Sequence, residues 1–557
     1  MKLNGAEIII ECLKEQKVDT IFGFPGGAVL NIYDALYKNR DSIRHILTSH
    51  EQGASHAADG YARSTGKVGV VFATSGPGAT NLVTGLATAY MDSIPVVAFT
   101  GNVPTQLLGK DSFQEVDISG ITMPITKHNY IVKDVKELAN TIRSAFRIAR
   151  EGRPGPVLID VPKDVTSATV EYQSAAHADY VPDSESVKRS ALEKTVKLIK
   201  ESSRPMLYVG GGVMRSNAQM ELAEFLEKFD CPMGVSLMGT GSIDTTHPRF
   251  TGMIGMHGTR VSNIAVNNCD LLVVIGARFS DRVVSKASAF ARKAKIVHID
   301  VDPAEINKNI ATYHHVIGDI KVVLANLNHM LAKPITHTPW MEQIAKWKTE
   351  HPVKVAGETR RSAEILWALS KVMPEDAVVV TEVGQHQMWA AQFYHHTPKT
   401  KFLTSGGLGT MGYGTGAAIG AQVGNPDKRV VNVAGDGSFK MNCNELATIA
   451  RYQLPVIVLV MNNKTLGMVR QWQTLFYEER YSETTLDTHI DWVGLAKAYG
   501  VDGMHLRLDD DPERVLANAV SSGKAVVIDC EIPTDNKVYP MVAPGASIDE
   551  MIEEVID

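Results

Sequence analysis

Two predicted strands near the C-terminus each end in an oxygen-bearing side chain. Asp436 lies in the turn Gly435-Asp436-Gly437-Ser438 after the first strand, and Asn463 follows the second strand. Both strands of a right-handed βαβ unit end at the same edge of the sheet, so we expect these two side chains to converge. Oxygen donors from Asp, Asn and the main chain suit Mg²⁺, and diphosphate oxygens would complete its octahedron.

The same turn is suited to an anion. Gly435 and Gly437 let the main chain approach a diphosphate closely, while Ser438 and a helix expected over Asn442–Arg451 present O–H and N–H donors. An ordinary tight turn is the alternative interpretation, since Gly-Asp-Gly is common in turns and Asn-Asn at strand exits. Because the Gly-Asp-Gly turn and the Asn-Asn strand exit occur together here, at the spacing of a βαβ unit, we favour a magnesium–diphosphate site.

These turns lie among short apolar strands that are separated by helix-like segments. Strands that are apolar on both faces are typical of parallel sheets covered by helices. We therefore predict an α/β fold built of doubly wound parallel sheets. Six runs rich in valine or isoleucine are predicted as strands: Val68–Ala73, Val96–Thr100, Leu271–Ile275, Ile296–Ile299, Val430–Val433 and Val456–Met461.

The chain of 557 residues is long enough for about three domains. Two stretches interrupt the rhythm of strands and helices, Glu171–Ser190 and Lys333–Arg361, and we place the domain boundaries inside them. Glycine-rich strand-to-helix turns occur in both the first and the third domain, which indicates duplicated α/β units. The predicted domains span residues 1–180, 190–335 and 362–557.

Composition argues against several classes of protein. The formal net charge is -6, with 21% charged residues, so nothing electrostatic favours nucleic acid or an acidic membrane. Five scattered cysteines without C-x-x-C spacing are typical of a reducing compartment. We find no signal sequence and no apolar stretch of about 18 residues. We expect a cytoplasmic protein that binds neither nucleic acid nor membrane.

The turn Gly435–Ser438 followed by Asn463 resembles the thiamine-diphosphate motif of the pyruvate-oxidase and decarboxylase superfamily. This resemblance implies thiamine diphosphate and Mg²⁺ as cofactors, with Asp436, Asn463 and the carbonyl of Thr465 as metal ligands. Gly384-Gln385-His386 resembles the loop that contacts the diphosphate in this superfamily.

Thiamine chemistry requires removal of the C2 proton of the thiazolium ring. A carboxylate assists by stabilising the reactive tautomer of the aminopyrimidine. Glu51, which precedes an alanine-rich helical stretch, is the candidate, although the helix dipole alone also favours a glutamate in a first helical turn. The segments Phe22–Gly27 and His50–Ala54 resemble the pyrimidine-binding domain of the superfamily, which implies that Glu51 and Gly27 belong to the catalytic centre.

The run Gly406–Gly412 resembles the segment in which a bulky apolar side chain holds the cofactor in its bent form. By this resemblance Met411 supports the bend and the Gly409 carbonyl accepts from the 4'-amino group. The bend brings the imino nitrogen near C2, so this contribution is positional. A methionine that fills a gap in the core is the alternative interpretation.

The segment Gly467–Gln473 resembles the acetohydroxyacid synthases, and the resemblance spans nearly the whole chain. In this family the tryptophan, here Trp472, lines the pocket for the second 2-oxo acid, although a large aromatic residue is also common in a core. Four further residues are assigned by the same resemblance: Phe113 to the substrate, Gln114 and Lys163 to the catalytic centre, and Met468 to the cofactor.

Glycine-rich turns and charged residues of the middle domain suggest a second cofactor. Turn edges of a parallel α/β domain bind dinucleotides, but these turns do not form G-x-G-x-x-G and could be ordinary tight turns. By resemblance they form an FAD site, and Arg282 also faces the incoming 2-oxo acid. The residues assigned to FAD are Arg153, Gly211, Gly255, Met256, His257, Gly276, Arg278, Arg282, Asp300 and Asp319.

The sequence departs from the family pattern in three places. Ser280 replaces a common Asp, Thr415-Gly416 replaces Leu-Pro, and Glu305 replaces an Asn found in some members. These departures bear on flavin affinity and on local loop geometry.

The resemblance implies decarboxylation of pyruvate and transfer of the two-carbon unit to a second pyruvate or to 2-oxobutyrate. Competing hypotheses are a flavin-linked oxidoreductase of pyruvate-oxidase type and a catalytically silent flavin- or nucleotide-binding regulatory module. In this family each active site combines residues of two subunits. We therefore expect a homodimer or homotetramer, with a small regulatory subunit as a possible partner.

Overall fold

The computed structural model describes residues 1–177, 187–353, 355, 357, 359–486 and 490–553. It contains three six-stranded sheets, and every strand pair within them is parallel. The predicted α/β class with three parallel sheets is thereby confirmed. The predicted domain limits at residues 180 and 557 lie outside the described residues, and the limits as a whole stay predictions.

The first sheet has the strand order β3-β2-β4-β5-β7-β6. Its residues form these elements: β1 (Lys2–Asn4), α1 (Gly5–Glu15), β2 (Thr20–Gly23), α2 (Leu30–Lys38), β3 (Arg44–Leu47), α3 (Glu51–Thr65), β4 (Gly69–Ala73), α4 (Pro77–Thr80), α5 (Val83–Asp92), β5 (Val96–Asn102), α6 (Ile118–Thr122), β6 (His128–Ile131), α7 (Val135–Arg150), β7 (Val157–Pro162), α8 (Lys163–Ser167) and β8 (Thr169–Glu171). The short strands β1 and β8 pair antiparallel beside it.

The middle sheet has the order β11-β10-β9-β12-β13-β14. Its elements are α9 (Arg189–Glu201), β9 (Pro205–Val209), α10 (Gly211–Arg215), α11 (Gln219–Phe229), β10 (Met233–Val235), β11 (Phe250–Met253), α12 (Arg260–Asn268), β12 (Leu271–Ile275), α13 (Asp281–Val284), β13 (Lys295–Asp300), β14 (His314–Ile317) and α14 (Ile320–Met330). A further helix, α15 (Thr338–Glu350), lies in the second predicted boundary and packs Trp340 and Ile344 against the core of this sheet.

The last sheet has the order β16-β15-β17-β18-β20-β19. Its elements are α16 (Thr359–Val372), β15 (Val378–Thr381), α17 (Gln385–Phe393), β16 (Lys401–Leu403), α18 (Gly414–Gly424), β17 (Val430–Gly435), α19 (Asp436–Phe439), α20 (Leu446–Arg451), β18 (Val456–Asn462), α21 (Gly467–Phe476), α22 (Trp492–Ala498), β19 (Asp502–Leu506), α23 (Pro512–Ser521) and β20 (Val526–Glu531). Two short strands, β21 (Met541–Val542) and β22 (Met551–Ile552), pair antiparallel near the C-terminus.

Strand order relates the first and last sheets. Counted within each sheet along the chain, both have the order 2-1-3-4-6-5, whereas the middle sheet has 3-2-1-4-5-6. The shared order agrees with the duplication suggested by their glycine-rich turns. Ligands of doubly wound sheets bind outside the carboxyl ends of the strands, where the strand order reverses. The turns after β15 and β17 flank this position in the last sheet.

One hydrophobic core joins the first and last sheets across α3 and α18. Buried side chains of both regions, such as Phe22 and Tyr413, belong to this one cluster. The two helices approach so closely that a Cβ atom at Gly60 or Gly420 would overlap a main-chain carbonyl of the opposite helix. The first and last sheets are therefore held in fixed positions by contacts that only glycine permits. Among the described residues, we find no helix that combines the length and the apolarity needed to cross a bilayer.

Candidate active site

Asp436 and Asn463 lie at neighbouring positions on one edge of the last sheet. Strands β17 and β18 pair in parallel with Gly435 opposite Met461, and the two polar residues follow these strands directly. Asp436 is 5% exposed, and nearby main-chain N–H groups, those of Gly437 and Lys464 among them, act to lower its pKa. Burial raises the pKa of Asp436 to about 7. Asp436 has no ion pair within the part of the chain that the structure describes, and a buried carboxylate of this kind favours a nearby cation.

The turn after Asn463 brings a third predicted ligand to this edge. Lys464 has a left-handed conformation with φ 58°, and the Thr465 N–H donates to Asn463 Oδ1 at 3.2 Å. Asn463 Nδ2 donates to Gln385 Oε1 at 3.3 Å. Among the described residues there is no group of three or more His, Cys, Asp and Glu side chains placed to hold a metal. A cation at this edge would therefore depend on Asp436, an amide and main-chain oxygens, a donor set that suits Mg²⁺.

His386 provides a test of whether a diphosphate fits this edge. Its Nε2 atom is buried and has no hydrogen-bond partner among the described residues. A Cβ atom at Gly435 would lie 2.7 Å from Nδ1 of the same ring. Burial lowers the pKa of His386 to about 3, so the ring is neutral at physiological pH. A buried ring nitrogen without a partner among the described residues, beside a glycine at which a Cβ atom would crowd the ring, fits a polar ligand such as a diphosphate.

Two details of this turn differ from expectation. The predicted helix over Asn442–Arg451 is shorter and begins only at Leu446, after a 3₁₀ turn at Cys443–Glu445, while Asp436–Phe439 is already helical. The Ser438 hydroxyl donates to the Glu382 carboxylate at 2.9 Å and accepts the Gly412 N–H. That hydroxyl therefore positions the neighbouring turn. Its predicted contact with the diphosphate stays a prediction.

Glu382 was not recognised in the sequence. It lies directly after β15, is fully buried, and accepts hydrogen bonds from Ser438 and from the Thr415 N–H at 3.1 Å. Burial raises the pKa of this carboxyl. Thr415, one of the departures from the family pattern, also brings its hydroxyl within 3.3 Å of Glu382. The position of Glu382 at a strand end near Gly384 was the signal available in the sequence.

Glu51 is the first residue of α3 and is 8% exposed. Its Oε2 accepts a hydrogen bond from Asn81 Nδ2 at 3.0 Å, and a Cβ atom at Gly78 would lie 3.2 Å from Oε1. A glutamate placed only to favour the helix dipole would normally be exposed to solvent. The burial of this carboxylate therefore favours the functional interpretation over the purely structural one.

Other predicted catalytic residues share this edge of the first sheet. Gly27 follows β2, Gln114 follows β5 and Lys163 follows β7. Gln114 is left-handed, with φ 58°, and its main chain packs against Gly76. Phe113 is 88% exposed, so the predicted substrate contact lies on the surface of the single chain.

The glycine-rich turn that carries Gly409 and Met411 is fixed by a buried acid. Asp92 accepts the N–H groups of Gly406 at 3.1 Å and Gly407 at 2.7 Å. Asp92 also pairs with the buried Arg63 at 2.9 Å. Gly409 has φ 71°, a conformation that favours glycine. The structure thus shows how the turn is positioned, and the contacts of Gly409 and Met411 with a cofactor stay predictions.

A cavity of about 2160 Å³ is lined by residues from the regions of all three sheets. Its wall brings together most of the residues predicted to bind FAD, but Gly255 is not among the wall residues, and its N–H donates to Asn263 Oδ1. The wall also does not include four residues predicted for catalysis or metal binding: Glu51, Met411, Asp436 and Asn463. Predicted residues on the wall are Arg153, Gly211, Met256, His257, Gly276, Arg278, Arg282, Asp300, Asp319, Gly384, Gly409, Met468 and Trp472.

Two polar atoms provide a test of whether a polar ligand fits this cavity. His257 Nδ1 and Arg215 Nε are both buried and lack hydrogen-bond partners among the described residues. Burial lowers the pKa of Arg215 to about 10. Arg215, which the sequence did not point out, lies on the cavity wall. The Arg215 Nε–H group, which has no acceptor among the described residues, is suited to phosphate or to carbonyl oxygens, so the wall fits a dinucleotide such as FAD.

The departures at Glu305 and Ser280 lie on the same wall. Glu305 is 3% exposed and forms an ion pair with Arg153 at 2.8 Å. Arg153, predicted to bind FAD, also donates to Ser93 at 2.8 Å. Ser280 precedes α13 without capping it through its side chain. Glu305 therefore neutralises one of the cations assigned to the flavin.

Family models for thiamine pyrophosphate enzymes match three parts of the chain. The N-terminal TPP binding domain matches residues 3–121, the central domain matches 192–327, and the C-terminal TPP binding domain matches 382–530. Together with the three parallel sheets, these matches define a thiamine pyrophosphate enzyme.

Full-length relatives narrow this class. The acetolactate synthase isozyme 2 large subunit of Escherichia coli is 44% identical over 99% of this chain and 100% of its own length. The acetolactate synthase large subunit of Parasynechococcus marenigrum is 46% identical over 99% of this chain and 91% of its own. A probable acetolactate synthase large subunit of Methanocaldococcus jannaschii is 45% identical over 99% and 96%. The chain belongs to the family of acetolactate synthase large subunits.

Proposed function

We propose that the chain decarboxylates pyruvate and joins the remaining two-carbon unit to a second 2-oxo acid. Pyruvate as acceptor gives 2-acetolactate, and 2-oxobutyrate gives 2-aceto-2-hydroxybutyrate, both precursors of branched-chain amino acids. The observation that carries the proposal is the full-length similarity to acetolactate synthase large subunits.

Residues at the two sheet edges would supply binding and proton handling. Thiamine diphosphate, when bound, supplies a ring that accepts the electrons released as carbon dioxide leaves. Asp436, Asn463 and the Thr465 carbonyl would hold Mg²⁺. Glu51 would hold a proton at its carboxylate beside the aminopyrimidine, and Met411 would maintain the bend. The burial of Asp436 and Glu51 supports these roles, because buried carboxylates are rare without a task.

We further propose that the cavity holds FAD and that the active site is completed by a second subunit. The partnerless atoms of His257 and Arg215 support the flavin site. The exposure of Phe113, and the absence of Glu51 from the cavity wall that includes Trp472, support a homodimer or homotetramer. The term "large subunit" in the names of the relatives supports a small regulatory partner.

The reaction is tested by product analysis with the full chain, thiamine diphosphate, Mg²⁺, FAD and pyruvate. We expect 2-acetolactate and carbon dioxide, formed at the same rate with and without oxygen. Mass spectrometry of the product and an oxygen electrode provide the two measurements. Oxygen consumption in proportion to pyruvate, without acetolactate, would instead establish the oxidase alternative.

Trp472 is expected to set the preference between the two acceptors. It lies on α21 at the cavity wall, in edge-to-face contact with Phe476 at 5.7 Å. A hydrophobic pocket gains about 1–3 kcal/mol of binding free energy from one additional methylene. Trp472→Leu should therefore lower the preference for 2-oxobutyrate over pyruvate by about 5- to 100-fold. The measurement is the product ratio with both acceptors competing. Trp367→Leu, on the partly exposed face of α16, is the matched control and should leave the ratio unchanged.

A further inference from the structure

Glu445 is a buried carboxylate that connects the last sheet to the start of α3. It is 0% exposed and ends the 3₁₀ turn Cys443–Glu445, in the same strand-to-helix connection as Asp436. Its oxygens accept the main-chain N–H of Ser49 at 3.1 Å and that of His50 at 3.0 Å. Thr448 Oγ donates the remaining hydrogen bond at 2.6 Å.

These contacts fix the main chain immediately before Glu51. The His50 side chain already caps α3, since its Nδ1 accepts the Gln52 N–H at 3.1 Å. The Glu445 carboxylate lies against the helix N-terminus, where the macrodipole favours its ionised form. A Cβ atom at Gly53 would overlap Glu445 Oε1, so the glycine lets the carboxylate reach these N–H groups.

Neighbouring contacts strengthen the same connection. Ser49 Oγ donates to the Asn444 carbonyl at 2.9 Å, and the Leu47 N–H donates to the Tyr452 hydroxyl at 2.8 Å. Residues 444–452 therefore contact Leu47, Ser49 and His50, all in the segment that leads into α3. A displacement of this connection would move the Glu51 backbone with it.

We propose that Glu445 is a positioning residue for Glu51, acting through the N–H groups of Ser49 and His50. This inference rests on the proposed function, because Glu51 has a proton to handle only if the chain uses thiamine diphosphate. A carboxylate is required because three donors meet it and it has only acceptor atoms. Glutamine would turn an NH₂ group toward one of these donors, leaving a buried group unpaired.

Glu445→Gln is tested for C2 proton exchange of bound thiamine diphosphate, followed by NMR after transfer of the holoenzyme to D₂O. We expect the exchange rate to fall about 10- to 100-fold, because misplacing a catalytic group by about 1 Å has costs of that order. In a Glu51→Gln background, Glu445→Gln should add no further slowing. Thr448→Val, which removes one donor and leaves both N–H contacts, is the matched control and should exchange within about threefold of the wild type.

The outcomes separate this inference from the proposed function. If Glu51→Gln alone leaves exchange unchanged, the role proposed for Glu51 is wrong. If Glu51→Gln slows exchange but Glu445→Gln does not, only the inference about Glu445 is overturned. Equal slowing by Glu445→Gln in both backgrounds also overturns it, because the effect is then independent of Glu51.

Should Glu445→Gln fail to fold, Glu445→Asp retains the carboxyl group on a shorter side chain. It should give intermediate slowing, and wild-type exchange would overturn the inference.

Discussion

Glu51→Gln should lower the rate of acetolactate formation by about 100- to 10,000-fold, the usual range for loss of a positioned acid–base group. The amide keeps the shape of the side chain and can still accept from Asn81, which now contacts Oε2 at 3.0 Å. It cannot exchange a proton with the aminopyrimidine. The measurement is the steady-state rate with saturating thiamine diphosphate and Mg²⁺, which separates a loss of turnover from a loss of binding.

Glu137→Gln is the matched control for this variant. Glu137 also lies in the first turn of a helix, α7, but is exposed to solvent. If Glu51 served only the helix dipole, both substitutions would have the same small effect. Near wild-type turnover of Glu51→Gln would show that another group activates the cofactor.

Asp436→Asn should weaken thiamine diphosphate binding by at least about 100-fold at fixed Mg²⁺, equivalent to about 2.8 kcal/mol. The carboxylate supplies the only negative charge among the three proposed ligands, and an amide of the same size would leave the metal charge poorly compensated. Isothermal titration calorimetry of the cofactor at several Mg²⁺ concentrations measures the effect. Activity should return only in part when Mg²⁺ is raised.

Asp529→Asn tests whether any nearby buried acid has the same effect. Asp529 lies on β20, next to β18, and holds Asn462 through its Oδ1 at 2.8 Å. It is 8% exposed, compared with 5% for Asp436. Its loss should leave cofactor affinity within about threefold of the wild type. If Asp436→Asn bound the cofactor with unchanged affinity and Mg²⁺ dependence, the proposed metal site would be wrong.

Much of the fold was predictable because parallel strands that helices cover on both faces consist of continuous runs of apolar residues. All six predicted runs are strands, and β12 occupies Leu271–Ile275 as expected. The helix after the Asp436 turn was less predictable. Its first residues form a 3₁₀ turn that ends at Glu445, and Glu445 binds the segment before α3, a tertiary contact that local sequence does not reveal.

The candidate site was predictable to the extent that its residues follow strands. Asp436, Asn463 and Glu51 each follow a strand end, and strand ends of parallel sheets meet at one edge. No position at a strand end pointed to Glu445, Asp92 or Arg215. Each of them lies in or beside a helix, among ordinary polar residues. Their importance depends on partners far away in the chain.

The sequence by itself determined the α/β class, the strand positions and the spacing that predicts a magnesium–diphosphate edge, because these depend on local periodicity and on turn chemistry. Only the tertiary structure decided that Asp92 fixes Gly406 and Gly407, that Glu305 neutralises Arg153, and that Glu445 binds Ser49 and His50. These contacts join residues separated by more than a hundred positions. They form only when three sheets pack together, and the types of the residues involved do not encode which partner each will meet.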